Sequence, residues 1–250
     1  GLVAFGSSLD QIGPITNSVY DASLVYDVIR GDKNDEFTKD STLSKNVEQN
    51  IGFHGLFDQF EGKVGIISQL SGEGLSGDVA SGLNTTIESL RSQGIDAEEV
   101  SLPSLKYAIS CYYIIATAEA SSNLSRFDGI RYGKRQNIED GNLQNLYTNS
   151  RSLGFGDEVK QRIMLGAFSL SSGYVDAYYA KANLVRKKIQ REFHEAFEKY
   201  DVLLSPTSPT TAFEIGSKID DPVAMYLNDI YTTSANLAGI PGISIPVGLD

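Results

Sequence analysis

Near the N-terminus of this 250-residue chain, Gly6, Ser7 and Ser8 form a small-residue elbow that could present a serine hydroxyl as a nucleophile. An alcohol at neutral pH is a weak nucleophile until an adjacent base takes its proton. No base is placed by the local sequence, so Gly-Ser-Ser alone is a weak signal and turn-forming hydroxyls are the plainer reading. Asp10, two residues on, reads as a buried hydrogen-bonding residue. Cys111 is the single cysteine and lies in an apolar-aromatic run, which fits a buried structural thiol and a reducing compartment and excludes an internal disulfide. His54 and His194 are the two histidines, far apart and outside any metal-ligand spacing, so no metal site is expected; His194 in "REFHEAFEKY" reads as a helix-surface residue.

These residues need a scaffold, and the hydrophobic pattern describes one. "GLVAF" reads as an opening strand. Ser18 followed three residues later by Asp21 has the hydroxyl-x-x-acid pattern of a helix start, with Ala22, Val25 and Ile29 on one face and Gly31 as a stop. Residues 32–61 are polar and acidic, with an apolar-aromatic island at 53–60, and read as an irregular surface excursion. "KVGIISQ", then Val79, Leu83, Ile87 and Leu90 at helical spacing, then "EEVSLP", form a strand-helix-strand unit. Such a crossover brings two strands together in parallel and points to a layered α/β fold.

Further on, the run from Leu105 to Phe127 suits a helix packed on several sides, and "DGIRYGKRQNIEDGN" breaks it into a loop. "GDEVKQRIMLGAFSLSS" is helical. Residues 173–199 hold a long helix with Val185, Ile189, Phe193 and Phe197 every fourth position, its lysines and arginines read as a solvated face paired to glutamates. "DVLLSPTSPTTAF" is a buried strand leaving the sheet at Pro206. The last stretch places Pro222 at a helix start, Gly239 as its stop and a final strand. Gly1 in place of Met, and a last strand ending early, lead to the expectation of a piece cut from a longer protein at both ends.

A formal net charge of −11 makes this surface a poor direct partner for nucleic acid. With 41% apolar residues the chain can bury a substantial core, and it holds no apolar run of membrane-spanning length and no signal-peptide pattern.

The strings "GLVAFGSSLDQIGP", "AEASSNLSRFDGIRYG", "SRSLGFGDEVKQRIMLG", "LSSGYVDAYYAKA", "DVLLSPTSPT" and "DPVAMYLNDIYTTSANLAGIPGISIP" resemble the amidase signature family, in particular its glutamyl-tRNA(Gln) amidotransferase A subunits, over nearly the whole chain. Asn17 stands where the family usually has a basic residue, and "ISQLSGEGL" lacks the basic-aromatic residues common there. The resemblance implies an α/β fold with a mixed β-sheet flanked by helices on both faces. Residues 1–250 would be the C-terminal portion of that single domain, with no independent second domain.

The resemblance also implies a Ser-cisSer-Lys triad, whose three positions fall before "GLVAF", so no catalytic residue is assigned within these 250 residues and the piece alone is expected to be inactive. What remains is substrate recognition. Glutamine is a zwitterion, so a guanidinium suits its α-carboxylate and a carboxylate its α-ammonium. Against the family pattern these roles fall on Arg162 and Asp229, with Tyr113 as a pocket hydroxyl or wall. Each has a plainer alternative: an ion pair on a helix surface, a solubilising acid, and core packing. The implied setting is cytoplasmic, away from any membrane, with B and C subunits as partners. No cofactor is bound by this chain; ATP and Mg serve the B subunit, and tRNA is met only through the complex. Two rival readings are another amidase-signature amide hydrolase and a non-catalytic subunit-docking module.

Overall fold

The computed structural model describes residues 3–29, 60–72, 74–136, 141–215 and 228–249. The chain divides into two units, residues 11–62 and residues 1–10 with 63–250. Within the smaller unit, helix α1 spans Val19–Ile29. It starts as its sequence predicts: the Ser18 hydroxyl donates to the Asp21 carboxylate (2.8 Å) and accepts the Asp21 backbone N–H (3.1 Å), a reciprocal cap. His54 and most of the expected surface excursion lie outside the described residues.

In the larger unit, strands β1 (Val64–Ile67), β2 (Ala97–Val100) and β3 (Val202–Leu204) form a sheet in the order β2-β1-β3. Both pairings are parallel, with Val64 opposite Ala97 on one side and Val202 on the other. The antiparallel pairs that a mixed sheet requires are not found among the described strands. The crossover from β1 to β2 is α2 (Gly77–Ser92). The period of two along β1 divides its side chains. Val64 and Ile66 pack with Ala97, Ile87 and Leu90 under α2, whereas Ile67 faces the main core. Helices therefore cover both faces.

The main core gathers around α3 (Ala108–Asn123) and α6 (Lys181–Phe197), joined by Leu9, Leu102, Tyr231 and Leu237. Ile115 and Ile189 are fully enclosed. The buried stripe of α6 runs through Ala182, Ile189, Phe193 and Ala196, so its last buried position is Ala196, and Phe197 stays exposed. A π-helical stretch, Asp176–Ala180, leads into it.

Helix α4 (Leu143–Gly154) occupies a stretch, just after the expected loop, to which the sequence reading assigned no element. The Asn142 side chain caps it by accepting the Gln144 N–H at 2.9 Å. Helix α5 (Asp157–Ser169) packs along α3, and α7 (Thr233–Ala238) ends at Gly239, whose φ of 73° is the left-handed stop that glycine supplies. The expected start of that helix at Pro222 lies outside the described residues.

Three expected strands differ. Residues 5–9 form a turn, because the Asp10 carboxylate accepts the N–H groups of Phe5 (2.9 Å) and Gly6 (3.0 Å) and curls the chain. β3 is an edge strand, half-exposed rather than buried, with Val202 45% accessible. Residues 241–249 form no strand: Pro241 and Pro246 lack N–H donors, and Ile243, Ile245 and Val247 are exposed.

Candidate functional site

Tyr113 is the centre of the site. It lies on α3, one turn before Thr117, and its hydroxyl donates to Asp229 Oδ2 at 2.7 Å. Asp229 comes from a 3-10 turn, Asn228–Ile230, immediately before α7. The Arg162 guanidinium, carried by α5, lies 5.6 Å from the Tyr113 ring centroid and 5.8 Å from that of Phe5, within cation-π reach of both. The three residues singled out in the sequence are thus brought together from three separate elements, with Tyr113 touching both charged groups.

The approach of α5 to α3 has a specific cause. A Cβ placed on Gly166 would overlap the Thr117 carbonyl oxygen and lie 2.7 Å from Ser121 Cβ, so only a glycine lets the helices meet there. One turn earlier on both helices are Arg162 and Tyr113. Thr117 returns its own hydroxyl to the Tyr113 carbonyl at 2.7 Å.

Arg162 Nε donates to Glu158 Oε1 at 2.8 Å along α5, the ion pair its spacing allowed. Among the described residues nothing takes its Nη groups, so the guanidinium fork stays open to a carboxylate. Burial opposes its charge, but the hydrogen bond and charge of Glu158 outweigh burial and raise its pKa. Burial, followed by the hydrogen bond to Asp229 and the charge of that carboxylate, drives the Tyr113 pKa far up, with Arg162 pulling the other way. Tyr113 is therefore a neutral donor at any physiological pH. Tyr112 stands edge-on to it at 5.3 Å and is raised mainly by its own burial.

A second network, not anticipated, lies beside the first. Ser8 is held by Glu119 of α3 and Arg186 of α6, Phe5 by Asn123, and Leu9 by Asn236 of α7. Ser7 and Ser8 thus sit in a hydrogen-bonded turn. Arg186 belonged to the lysines and arginines read as solvated. The available signal was its position on α6, four residues after Ala182 and three before Ile189, on the buried stripe. Arg191 and His194 follow the expected pattern, pairing loosely with Glu195 (3.6 Å) and Glu198 (3.9 Å). Cys111 is buried, its thiol donating to the Ala182 carbonyl at 3.1 Å. Among the described residues no three metal-ligating side chains come together, and no helix is long and apolar enough to cross a membrane.

A family model described as Amidase matches residues 1–250. The chain belongs to the Amidase family. Within that family it is 52% identical, over 252 aligned residues, to the A subunit of the glutamyl-tRNA(Gln) amidotransferase of Staphylococcus saprophyticus, covering 99% of this chain and 50% of the relative. The corresponding protein of Staphylococcus epidermidis is 51% identical with the same coverage. The chain thus spans about half the length of these relatives. Among solved structures, the A subunit of the Thermotoga maritima glutamyl-tRNA(Gln) amidotransferase superposes with a TM-score of 0.63 at 37% identity, covering 96% of this chain and 48% of that one. A bacterial aryl acylamidase of the amidase signature family, at 20% identity, reaches 0.65 over 95% of this chain and 46% of its own, which establishes the Amidase fold alone.

Proposed function

We propose that this chain carries the amino-acid clamp of a glutaminase, the A subunit of a glutamyl-tRNA(Gln) amidotransferase. The open fork of Arg162 takes the α-carboxylate of glutamine. Asp229, fixed through Oδ2 by Tyr113, offers Oδ1 to the α-ammonium. The observation that carries this reading is the convergence of a cation, a neutral hydroxyl and an anion from α5, α3 and the turn before α7. The 52% identity to a protein of that name supports it. Two opposite charges held at one site suit a zwitterion, and a neutral amide would satisfy neither.

In this reading the nucleophilic serine, bridging serine and lysine base belong to residues outside these 250. Their attack on the side-chain amide expels ammonia, and water then releases glutamate. Ammonia passes to a B subunit, which activates glutamyl-tRNA with ATP and Mg, while a small C subunit stabilises the pair in the cytoplasm. The net charge of −11 is in keeping with tRNA being gripped by another member of the complex.

The test is Arg162→Ala in the full-length protein. Removing one member of a desolvated charge pair weakens binding by about 2–5 kcal/mol, so KM for glutamine rises roughly 30-fold or more while hydrolysis of an uncharged amide is unchanged. Equal loss on both substrates would refute the clamp. Residues 1–250 alone are expected to release no ammonia, and measurable turnover by them would show that the nucleophile had been misassigned.

A further inference from the structure

Ser8 has every hydrogen-bonding group engaged. Its N–H donates to Glu119 Oε2 at 2.9 Å and its hydroxyl donates to Glu119 Oε1. The same hydroxyl accepts from Arg186 Nη1 at 2.6 Å, and its carbonyl accepts from Arg186 Nη2 at 2.6 Å. Arg186 Nε reaches on to the Leu237 carbonyl at 3.0 Å. Three helices therefore meet at one serine: α3 through Glu119, α6 through Arg186, and α7 through the carbonyl that the same guanidinium holds.

The turn they secure has no sheet or helix of its own to hold it. Three residues before Ser8 comes Phe5, whose ring faces the Arg162 guanidinium at 5.8 Å and whose carbonyl accepts from Asn123 Nδ2 at 3.0 Å. A ring in that position has two effects. Its face attracts the cation, and its bulk denies the side chain other rotamers. Arg162 meets one ring, Tyr113, on a rigid helix, and another, Phe5, on a turn that Asp10 closes from within and that Ser8 and Asn123 tie to the helices.

We propose that Ser8, Glu119 and Arg186 form a latch that positions Phe5 and so aims the guanidinium of Arg162. They are positioning residues, acting through Phe5. The kinetic consequence rests on the glutamine reading given above. The structural consequence does not.

The test compares Ser8→Ala, which removes the bridging hydroxyl, with Ser8→Thr, which keeps it, in the full-length protein. The side-chain Nε–H resonance of Arg162, assigned by its loss in Arg162→Lys, reports the surroundings of the guanidinium directly. In Ser8→Ala it moves toward the position of an arginine no longer within cation-π reach of both rings, and in Ser8→Thr it stays. A resonance that does not move in Ser8→Ala overturns the latch. For catalysis, KM for glutamine rises about tenfold in Ser8→Ala, the scale of one lost cation-π contact, with kcat within about twofold and the threonine variant restored. A moved resonance with unchanged KM upholds the latch and overturns the glutamine assignment of Arg162. A fall in kcat on glutamine and on a neutral amide alike, with KM unchanged, marks a general loss of structure and overturns the aiming role.

Discussion

Tyr113 and Asp229, 116 residues apart in the chain, share a 2.7 Å hydrogen bond in which the phenol donates and the carboxylate accepts. Hydrogen bonds to charged groups contribute more than neutral ones, about 1.5–3 kcal/mol. Tyr113→Phe is therefore expected to lower the unfolding free energy by about 1.5 kcal/mol. Once Asp229→Asn has been made, the same change should cost distinctly less. Urea denaturation of the two single variants and the double variant closes the cycle, and strict additivity would show that the pair is not coupled.

Gly166 yields a second prediction. Its methyl-bearing replacement would strike the backbone of Thr117, and backbone cannot swing aside as a side-chain end can. Overpacking commonly costs about 1–3 kcal/mol, and Gly166→Ala should reach or exceed the top of that range, seen as a drop in melting temperature. Because Arg162 is one turn away, the proposed clamp predicts that variants that still fold bind glutamine more weakly. A melting temperature equal to the parent's would mean that α3 and α5 do not meet at this point.

The alkaline limb of stability follows from three tyrosines. Tyr112, Tyr113 and Tyr231 all have raised pKa values, with burial the largest cause in each. A raised acid binds its proton more tightly in the folded state, so its contribution is complete below the unfolded pKa, about 10, and is lost as pH climbs beyond it. Unfolding free energy should decline above about pH 10, and Tyr113→Phe should make that decline shallower. Denaturation midpoints measured across the alkaline range provide the check, and an unchanged slope in Tyr113→Phe would contradict it.

Cys111 is predicted to be inert. Burial pushes its thiol from the ordinary 9.0 up to about 11, against the lowering influence of Arg186. The thiolate is the reactive form, so iodoacetamide at pH 7.5 should label the native protein only as fast as it unfolds and should label the denatured chain at once. Rapid modification without unfolding would place the thiol at the surface.

Much of the scaffold was legible in the sequence because it follows from period and punctuation. The spacing of Val79, Leu83, Ile87 and Leu90 marks α2, the Ser18–Asp21 pair marks the start of α1, and Gly239 marks the end of α7. Arg162, Asp229 and Tyr113 came from a family pattern, and periodicity alone would not have paired them. Helix α4 was passed over although its Asn142 cap and the i, i+4 pair Leu146 and Ser150 on its buried face were there to be read. The turn at residues 5–9 escaped because the Asp10 carboxylate competes for backbone N–H groups, an effect that the apolar run "LVAF" does not reveal. Arg186 was misread by its charge, since its value lies in the carbonyls and hydroxyl it reaches.

One helix keeps all these parts in step. Along α3, Tyr113 meets Asp229, Thr117 meets Gly166, Glu119 meets Ser8 and Asn123 meets Phe5. It works as a camshaft, each lobe timed to a different follower. A single residue inserted between Tyr113 and Thr117 would turn every later lobe by about 100°, disengaging three followers at once while leaving the first in place. Along this shaft a change of length is therefore expected to disrupt far more than a substitution at a solvent-facing position.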